Sequence, residues 1–350
     1  MNSEAIVDYG APLELIVRKA PNPTGTQVLL RVTHCGVCHS DIHLHDGYFD
    51  LGGNRKADLS TGHQLPFTMG HEIRGTIEAL GPNALGVAKA EQYVVYPWIG
   101  CGKCDTCKSG DEQLCGAPRV LGVNFPGGYS DYVLVPHPKY LLDHAGIPAG
   151  LAATYMCSGL TAYSALKELN TLDVTDAIAI VGLGGVGFMG LQFARALFPD
   201  CRILAVDRDK DKLDAALAAG ADTTYNTSDK TAVKEVIKVT AGGCKGAVDF
   251  VGSESSIGFT SRVIKRGGKA VIVGLFGGTF SIPIPMFPLR SITLSGSMVG
   301  SLDQAKAMLE LVKSGAVEPI PLQERPLSQA NQALNDLRTG KVLGRVVLKP

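Results

Sequence analysis

Cys101, Cys104, Cys107 and Cys115 are spaced C-x2-C-x2-C-x7-C on a stretch rich in Gly, Lys and Asp. Two-residue spacers let neighbouring thiolates converge on one ion, and four sulfurs close a tetrahedral zinc shell with no vacancy for substrate. An iron–sulfur cluster can use similar spacing. A second pattern is Gly182-Leu183-Gly184-Gly185-Val186-Gly187, directly after the apolar run Ala177–Val181 and before a helical stretch, Gly190–Leu197. In that position the first glycine allows the tight turn and the second admits a pyrophosphate. The third permits close helix–strand packing, and the helix N-terminus faces the negative charge. The next apolar strand ends at Asp207, near the spacing expected of a ribose reader. A carboxylate there favours NAD over a 2′-phosphorylated cofactor, whereas the adjacent Arg208 could accommodate that phosphate. Beside such a dinucleotide unit, a bracing zinc suits the four-cysteine lobe better than a cluster does.

A third set is dispersed. Cys38 opens Cys38-His39-Ser40-Asp41-Ile42-His43, His71 lies in Gly70-His71-Glu72, and Cys157 stands before the dinucleotide half. A catalytic zinc takes about three protein ligands and keeps one position open for a water or substrate oxygen. Two thiolates and one imidazole leave such a site neutral and still able to polarise an alcohol. Each residue taken singly reads as a buried cysteine or a hydrogen-bonded histidine.

The elements that must position these groups fall into two textures. The first ~150 residues read as short strands and turns, Gln27–Val32 and Tyr93–Tyr96 among them. From about Gly159 strands and helices alternate: Ala177–Val181, Arg202–Val206, the helical Asp211–Ala219 closed by Gly220, Ala247–Val251, Ala270–Val273 and Ile292–Leu294. Near-continuous apolar strands imply a parallel sheet covered on both faces. The expected fold class is α/β: a doubly wound parallel sheet inserted into a β-rich domain built from both chain ends.

Composition excludes several alternatives. The chain has 350 residues, 45% apolar and 19% charged, which rules out disorder. Thirty-three basic residues balance thirty-three acidic ones, arguing against a nucleic-acid surface. No apolar run reaches membrane-span length. Met1-Asn2-Ser3-Glu4 lacks the regions of a signal peptide, so a cytoplasmic chain with thiols rather than disulfides is expected.

Together these motifs resemble the zinc-dependent medium-chain alcohol dehydrogenases, nearly end to end: Cys38–His43, Gly70-His71-Glu72, the four-cysteine lobe, Cys157, the Gly182 turn and Gly344-Arg345. The resemblance implies a GroES-like catalytic domain over 1–155 and 299–350 and a Rossmann NAD-binding domain over 156–298. It implies two zinc ions per chain. Cys38, His71 and Cys157 would hold the catalytic one, with Glu72 able to ligate it in an alternative state. Cys101, Cys104, Cys107 and Cys115 would hold the structural one. Asp41 would orient the histidine ligand. Ser40 would take the substrate hydroxyl's hydrogen bond and pass its proton towards His43. His39 and Arg345 would face the pyrophosphate, Asp207 and Lys212 the adenosine ribose, and Thr161 and Val186 the nicotinamide, with Leu275, Gly182, Gly184, Gly185 and Gly187 also binding the cofactor. A homodimer or homotetramer is implied, with Ser281–Pro285 as an edge strand paired across a two-fold axis.

Thirty-three positions separate Cys38 from His71, more than many relatives carry. The extra segment from Gly47 to Gln64 should border a substrate channel lined by Tyr48, Phe49 and Trp98. It resembles the 6-hydroxyhexanoate dehydrogenase branch, so a medium-chain or ω-hydroxy acid substrate meeting Arg55 or Lys56 is expected. The expected activity is hydride transfer between NAD and a primary or simple secondary alcohol. The alternatives are an NADP-dependent aldehyde reductase, kept open by Arg208, and a polyol dehydrogenase, which should carry a carboxylate in place of Cys157. A zinc-free quinone reductase should lack the ligands altogether.

Overall fold

The computed structural model describes residues 1–169, 172–173 and 176–350. Six strands form an all-parallel sheet in the order Thr223–Asn226, Arg202–Asp207, Ala177–Val181, Cys244–Asp249, Ile264–Ile272 and Thr293–Gly296. Ala177–Val181 is buried at every position, as a strand covered on both faces must be. Chain order reverses between Ala177–Val181 and Cys244–Asp249. The carboxyl ends of these strands therefore border the crevice where ligands bind in doubly wound sheets. The following helix begins at Gly185 rather than at Gly190, so Gly184 caps it and Gly185 and Gly187 lie in its first turn. A Cβ on Gly187 would lie 1.7 Å from the Gly182 carbonyl oxygen, which is why that position carries no side chain. One edge differs from expectation: Ser281–Pro285 is not a strand, while the outer edge Thr293–Gly296 matches the expected Ile292–Leu294. At the other edge Thr223–Asn226 is a strand despite its polar residues.

The second sheet takes strands from both ends of the chain, in the order Leu141–Leu142, Gln92–Val95, Glu72–Leu80, Val28–Gly36, Arg345–Lys349 and Leu322–Pro326. Tyr132–Val135 also pairs with Val28–Gly36. Val28–Gly36 and Glu72–Leu80 are antiparallel with Gly36 opposite Glu72. That register brings the segment after Gly36, which carries Cys38, beside the segment before Glu72, which carries His71. The Gly47–Gln64 segment is a hairpin, Tyr48–Asp50 paired with Lys56–Asp58. Its tip packs on the parallel-sheet half: a Cβ on Gly52 would fall 2.8 Å from the Gly278 carbonyl carbon. Among the described residues no helix is long and apolar enough to cross a membrane.

Candidate active site

Cys38, His71 and Cys157 converge, with their ligand atoms within 4.8 Å of one another, and all three are buried. Cys38 caps the helix His39–Asp46, while Cys157 sits in a π-helical turn, Tyr155–Gly159. Such turns recur at functional sites because they re-aim side chains. The Trp98 indole donates to the Met156 carbonyl oxygen at 2.8 Å, and its ring meets His71 edge-on with centroids 5.4 Å apart. Trp98 thus braces two of the ligand segments. The Cys38 and Cys157 sulfurs are 3.9 Å apart, against about 3.8 Å for two thiolates sharing tetrahedral zinc with bonds of about 2.3 Å. His71 Nε2 is buried with no hydrogen-bond partner among the described residues. A buried imidazole grouped with two sulfurs at this spacing fits zinc.

The environment treats the donors unequally: the hydrogen bond with Cys38, followed by burial, pushes the Cys157 pKa well above the usual thiol value. The Cys157 thiol shared with Cys38 holds the Cys38 pKa well below the usual thiol value against the opposing effect of burial. Burial pushes the His71 pKa down, but the Asp41 carboxylate, its Oδ1 3.3 Å from His71 Nδ1, and the Cys38 sulfur outweigh it and hold that pKa well above normal. Asp41 Oδ2 accepts from the Cys38 amide at 2.9 Å and from the Tyr129 hydroxyl at 3.0 Å. Ser40 Oγ lies 3.8 Å from the Cys38 sulfur.

Glu72 stands outside the three-ligand cluster. Its Oε1 accepts from the Ser158 amide at 3.1 Å and hydroxyl at 2.6 Å, and its Oε2 accepts from Arg345 Nη2. Burial raises the Glu72 pKa despite that arginine. Gly36 makes the room: a Cβ there would fall 1.9 Å from Glu72 Oε2. Arg345, itself buried, reaches back to the glycine turn, where its Cδ would be 2.4 Å from a Cβ on Gly185. One side chain therefore spans from the glycine turn to Glu72, the residue after His71. Space beside Gly184 is open, with nothing within 4 Å of an added Cβ, and Gly182 takes φ +90°. Asp207 Oδ2 accepts from the Leu183 amide at 2.6 Å, and Oδ1 from the Arg208 and Asp209 amides at 2.7 and 3.0 Å. These bonds hold the carboxylate at the strand end, leaving Arg208 exposed. Thr161, Val186 and Lys212 are half-buried, and Leu275 is exposed at the end of the fifth strand.

On the other side of the cluster, His39 and His43 lie 5.5 Å apart and His43 packs on Phe49 at 4.8 Å between centroids. His43 Nε2 is buried without a partner, and burial lowers its pKa, followed by the neighbouring His39. The hairpin's pleat separates its residues. Phe49 pairs with Ala57 on the face towards His43, beside a cleft of about 310 Å³ that Leu51, Ile257, Leu275 and Phe280 also line. Tyr48 does not line it, and Lys56 lies 3.5 Å over the Tyr48 ring. The charged residues bordering this cleft are Asp50 and Glu254, not Arg55 or Lys56.

The four-cysteine lobe is assembled. Sulfur separations are 3.9 Å for Cys101–Cys107, 3.4 Å for Cys104–Cys107 and 3.8 Å for Cys104–Cys115. All four are free thiols, and their ligand atoms lie within 4.8 Å of one another. Backbone N–H groups of Lys103 and Cys104 bring the Cys101 thiol down to about 6. Sequence reasoning passed over Glu112, whose buried carboxylate moors this lobe. It accepts from the Gly100 amide at 3.0 Å, the Tyr140 hydroxyl at 2.7 Å and Lys139 Nζ at 2.7 Å. Gly36, Ser158 and Tyr129 were equally silent, since only folding sets them beside the site.

Residues 24–148 match the alcohol dehydrogenase GroES-like domain family, and residues 185–314 match the zinc-binding dehydrogenase family. The chain is 38% identical to an NAD-dependent alcohol dehydrogenase of Sulfurisphaera tokodaii, covering 100% of both chains. It is equally similar, 38% with 100% coverage of both, to an NAD-dependent alcohol dehydrogenase of Saccharolobus solfataricus. The crystal structure of the alcohol dehydrogenase from Aeropyrum pernix superposes with a TM-score of 0.90 at 28% identity, covering 100% of each chain. With its two ligand clusters and its glycine turn in one fold, the chain belongs to the zinc-dependent medium-chain alcohol dehydrogenase family.

Proposed function

We propose that this chain is an NAD-dependent oxidoreductase interconverting a primary or simple secondary alcohol with its aldehyde or ketone. One observation carries the reading: Arg345 links the glycine turn to Glu72, the chain neighbour of His71, which supports a cofactor site adjoining the Cys38–His71–Cys157 cluster. The names of the 38%-identical relatives support it. Cys38, His71 and Cys157 would hold one zinc and the four-cysteine lobe a second. When bound, zinc polarises the substrate oxygen, and NAD takes up or gives back the hydride.

The remaining chemistry belongs to the chain. Asp41 orients His71. Ser40 receives the substrate hydroxyl proton and relays it towards His43, whose lowered pKa keeps the imidazole neutral and receptive near pH 7. His39 and Arg345 face the pyrophosphate, Asp207 and Lys212 the adenosine ribose, and Thr161 and Val186 the nicotinamide, with Leu275 also binding the cofactor. For Glu72 to enter the ligand shell it must first leave Ser158 and Arg345. Asp207, fixed by three amides, repels a 2′-phosphate, which favours NAD over NADP. Cys157 in the third ligand position argues against a polyol dehydrogenase.

The cleft beside Phe49, joined to the site through the Phe49–His43 contact, is the proposed room for the substrate tail. Its walls are largely apolar and its ionisable residues are carboxylates, so it suits an uncharged aliphatic or aromatic tail and disfavours an ω-carboxylate. Domain limits at 155/156 and 298/299 and action in the cytoplasm belong to the same proposal. So does assembly into a dimer or tetramer, supported by the exposed Phe276, Ile284, Leu289 and Met298.

The test is NADH formation by the zinc-loaded protein over linear alcohols, ω-hydroxy acids and, in reverse, cyclic ketones, with NAD(H) and NADP(H) in parallel. Turnover with simple alcohols and NAD is expected, with ω-hydroxy acids poorer than alkanols of equal length. No turnover with any pair would refute the proposal.

A further inference from the structure

Tyr129 is fully buried and touches both Asp41 and the segment that carries His71. Its hydroxyl donates to Asp41 Oδ2 at 3.0 Å. Its ring packs on Gly70, the residue before His71: Gly70 takes φ +93°, and a Cβ there would sit 2.4 Å from Tyr129 Cδ1. We infer that Tyr129 is a positioning residue for the metal-holding imidazole, fixing Asp41 through its hydroxyl and the His71 backbone through its ring. This inference rests on reading Cys38, His71 and Cys157 as a metal centre.

Asp41 has four lone-pair directions, and water reaches neither it nor His71, since both side chains are fully buried. The Cys38 amide and the Tyr129 hydroxyl both bind Oδ2. That leaves Oδ1 towards His71 Nδ1, at 3.3 Å. Without the hydroxyl, one backbone amide alone would hold the carboxylate, and rotation about its terminal bond would be far less restricted. Tyr129 cannot swing away. Its amide donates to the Met69 carbonyl at 3.0 Å, and the Gly128 amide to the Gly70 carbonyl at 2.7 Å, so the two backbones are zipped together. Burial, followed by the Asp41 carboxylate, raises the phenol pKa well above its ordinary value, so the group remains a donor. A phenylalanine would fill the same space. The hydroxyl is the part that acts on the metal ligand.

Partners that orient a metal-binding histidine typically change metal affinity by 10–100-fold when removed, and Tyr129 acts one bond further out. Tyr129→Phe should therefore release metal to a chromogenic chelator about 3–10-fold faster than the parent chain. Release from the four-cysteine lobe is subtracted using Cys157→Ala. The visible bands of the cobalt(II)-substituted site should shift, while the melting midpoint changes little. On an Asp41→Asn background the hydroxyl's removal should add no further acceleration. Wild-type release with an unchanged cobalt spectrum would overturn the inference, as would the same acceleration in the Asp41→Asn background. Should Tyr129→Phe not fold, Asp41→Asn alone carries the test, and unaltered release there overturns the link. Both readouts are taken without substrate, so a chain that releases metal as expected yet oxidises no alcohol would refute the proposed function and leave this inference standing.

Discussion

Replacing Glu112 tests whether the four-cysteine lobe is held to the body by one carboxylate. Glu112→Ala leaves three donors facing a void: the Gly100 amide, the Tyr140 hydroxyl and Lys139 Nζ. A buried donor left unsatisfied costs about 1–3 kcal/mol. Lys139 is discounted, because its side chain is 44% exposed and water can replace the lost partner. The two inward donors and the lost side-chain packing together amount to about 3–5 kcal/mol. Unfolding entropy of about 2.1 cal/mol/K per residue over 350 residues turns that into a drop of about 4–7 °C in the melting midpoint. Glu112→Gln keeps the volume and one acceptor, and should cost about 1–2 kcal/mol. The Lys139 ammonium, the Tyr140 hydroxyl and the Gly100 amide hold the Glu112 pKa below the usual carboxylate range despite burial. Its stabilisation is therefore present above the unfolded carboxyl pKa of about 4.3, and is lost as pH falls through the lower folded value. Thermal melts from neutral pH to about pH 3 should show the gap between Glu112→Gln and the parent closing in acid. A Glu112→Ala protein melting within 1 °C of the parent at pH 7 would refute the mooring, as ~1 °C corresponds to under ~1 kcal/mol here.

Three further outcomes are expected. Cys157→Ala should abolish alcohol oxidation while leaving the lobe's zinc bound, whereas Cys104→Ala should first lower yield and melting temperature; metal analysis giving two zinc ions in the parent and one in each variant checks both. Gly36→Ala places a methyl group 1.9 Å from Glu72 Oε2, so the carboxylate must shift away from Arg345. A loss of about 3–5 kcal/mol in denaturant unfolding is expected, and a near-silent variant would mean that the pair tolerates displacement. In His43, burial and His39 lower the imidazole pKa. Alcohol oxidation should therefore rise with pH through a value under about 6.5 and then level off with respect to this group. His43→Gln should lack that rising limb in a profile of kcat/KM, and an unchanged limb would remove His43 from the proton path.

Groups close together in the chain were legible from the amino-acid order. Cys101 to Cys115 and Gly182 to Gly187 each lie within a single loop or turn, so spacing alone limits where the side chains can go. The apolar run Ala177–Val181 likewise emerges as a strand with the expected ends, because burial on both faces demands unbroken hydrophobicity. The polar strand Thr223–Asn226 carries no such signal and exists because Arg202–Asp207 offers it a partner edge. Ser281–Pro285 looked like an edge strand and is not one, whereas the expected Ile292–Leu294 strand appears as Thr293–Gly296. The Cys38–His71–Cys157 cluster joins Cys38 to Cys157 across 119 positions, and resemblance could name these residues where spacing could not. Only the tertiary structure decided which side chains surround that cluster. The register of Gly36 against Glu72, the π-turn under Trp98, the hydroxyl of Tyr129 and the hairpin pleat that turns Phe49 inward are all consequences of long-range pairing. Local sequence limits a turn or a loop because few bonds separate its atoms. It is silent about contacts whose geometry is set by sheets packing from opposite ends of the chain.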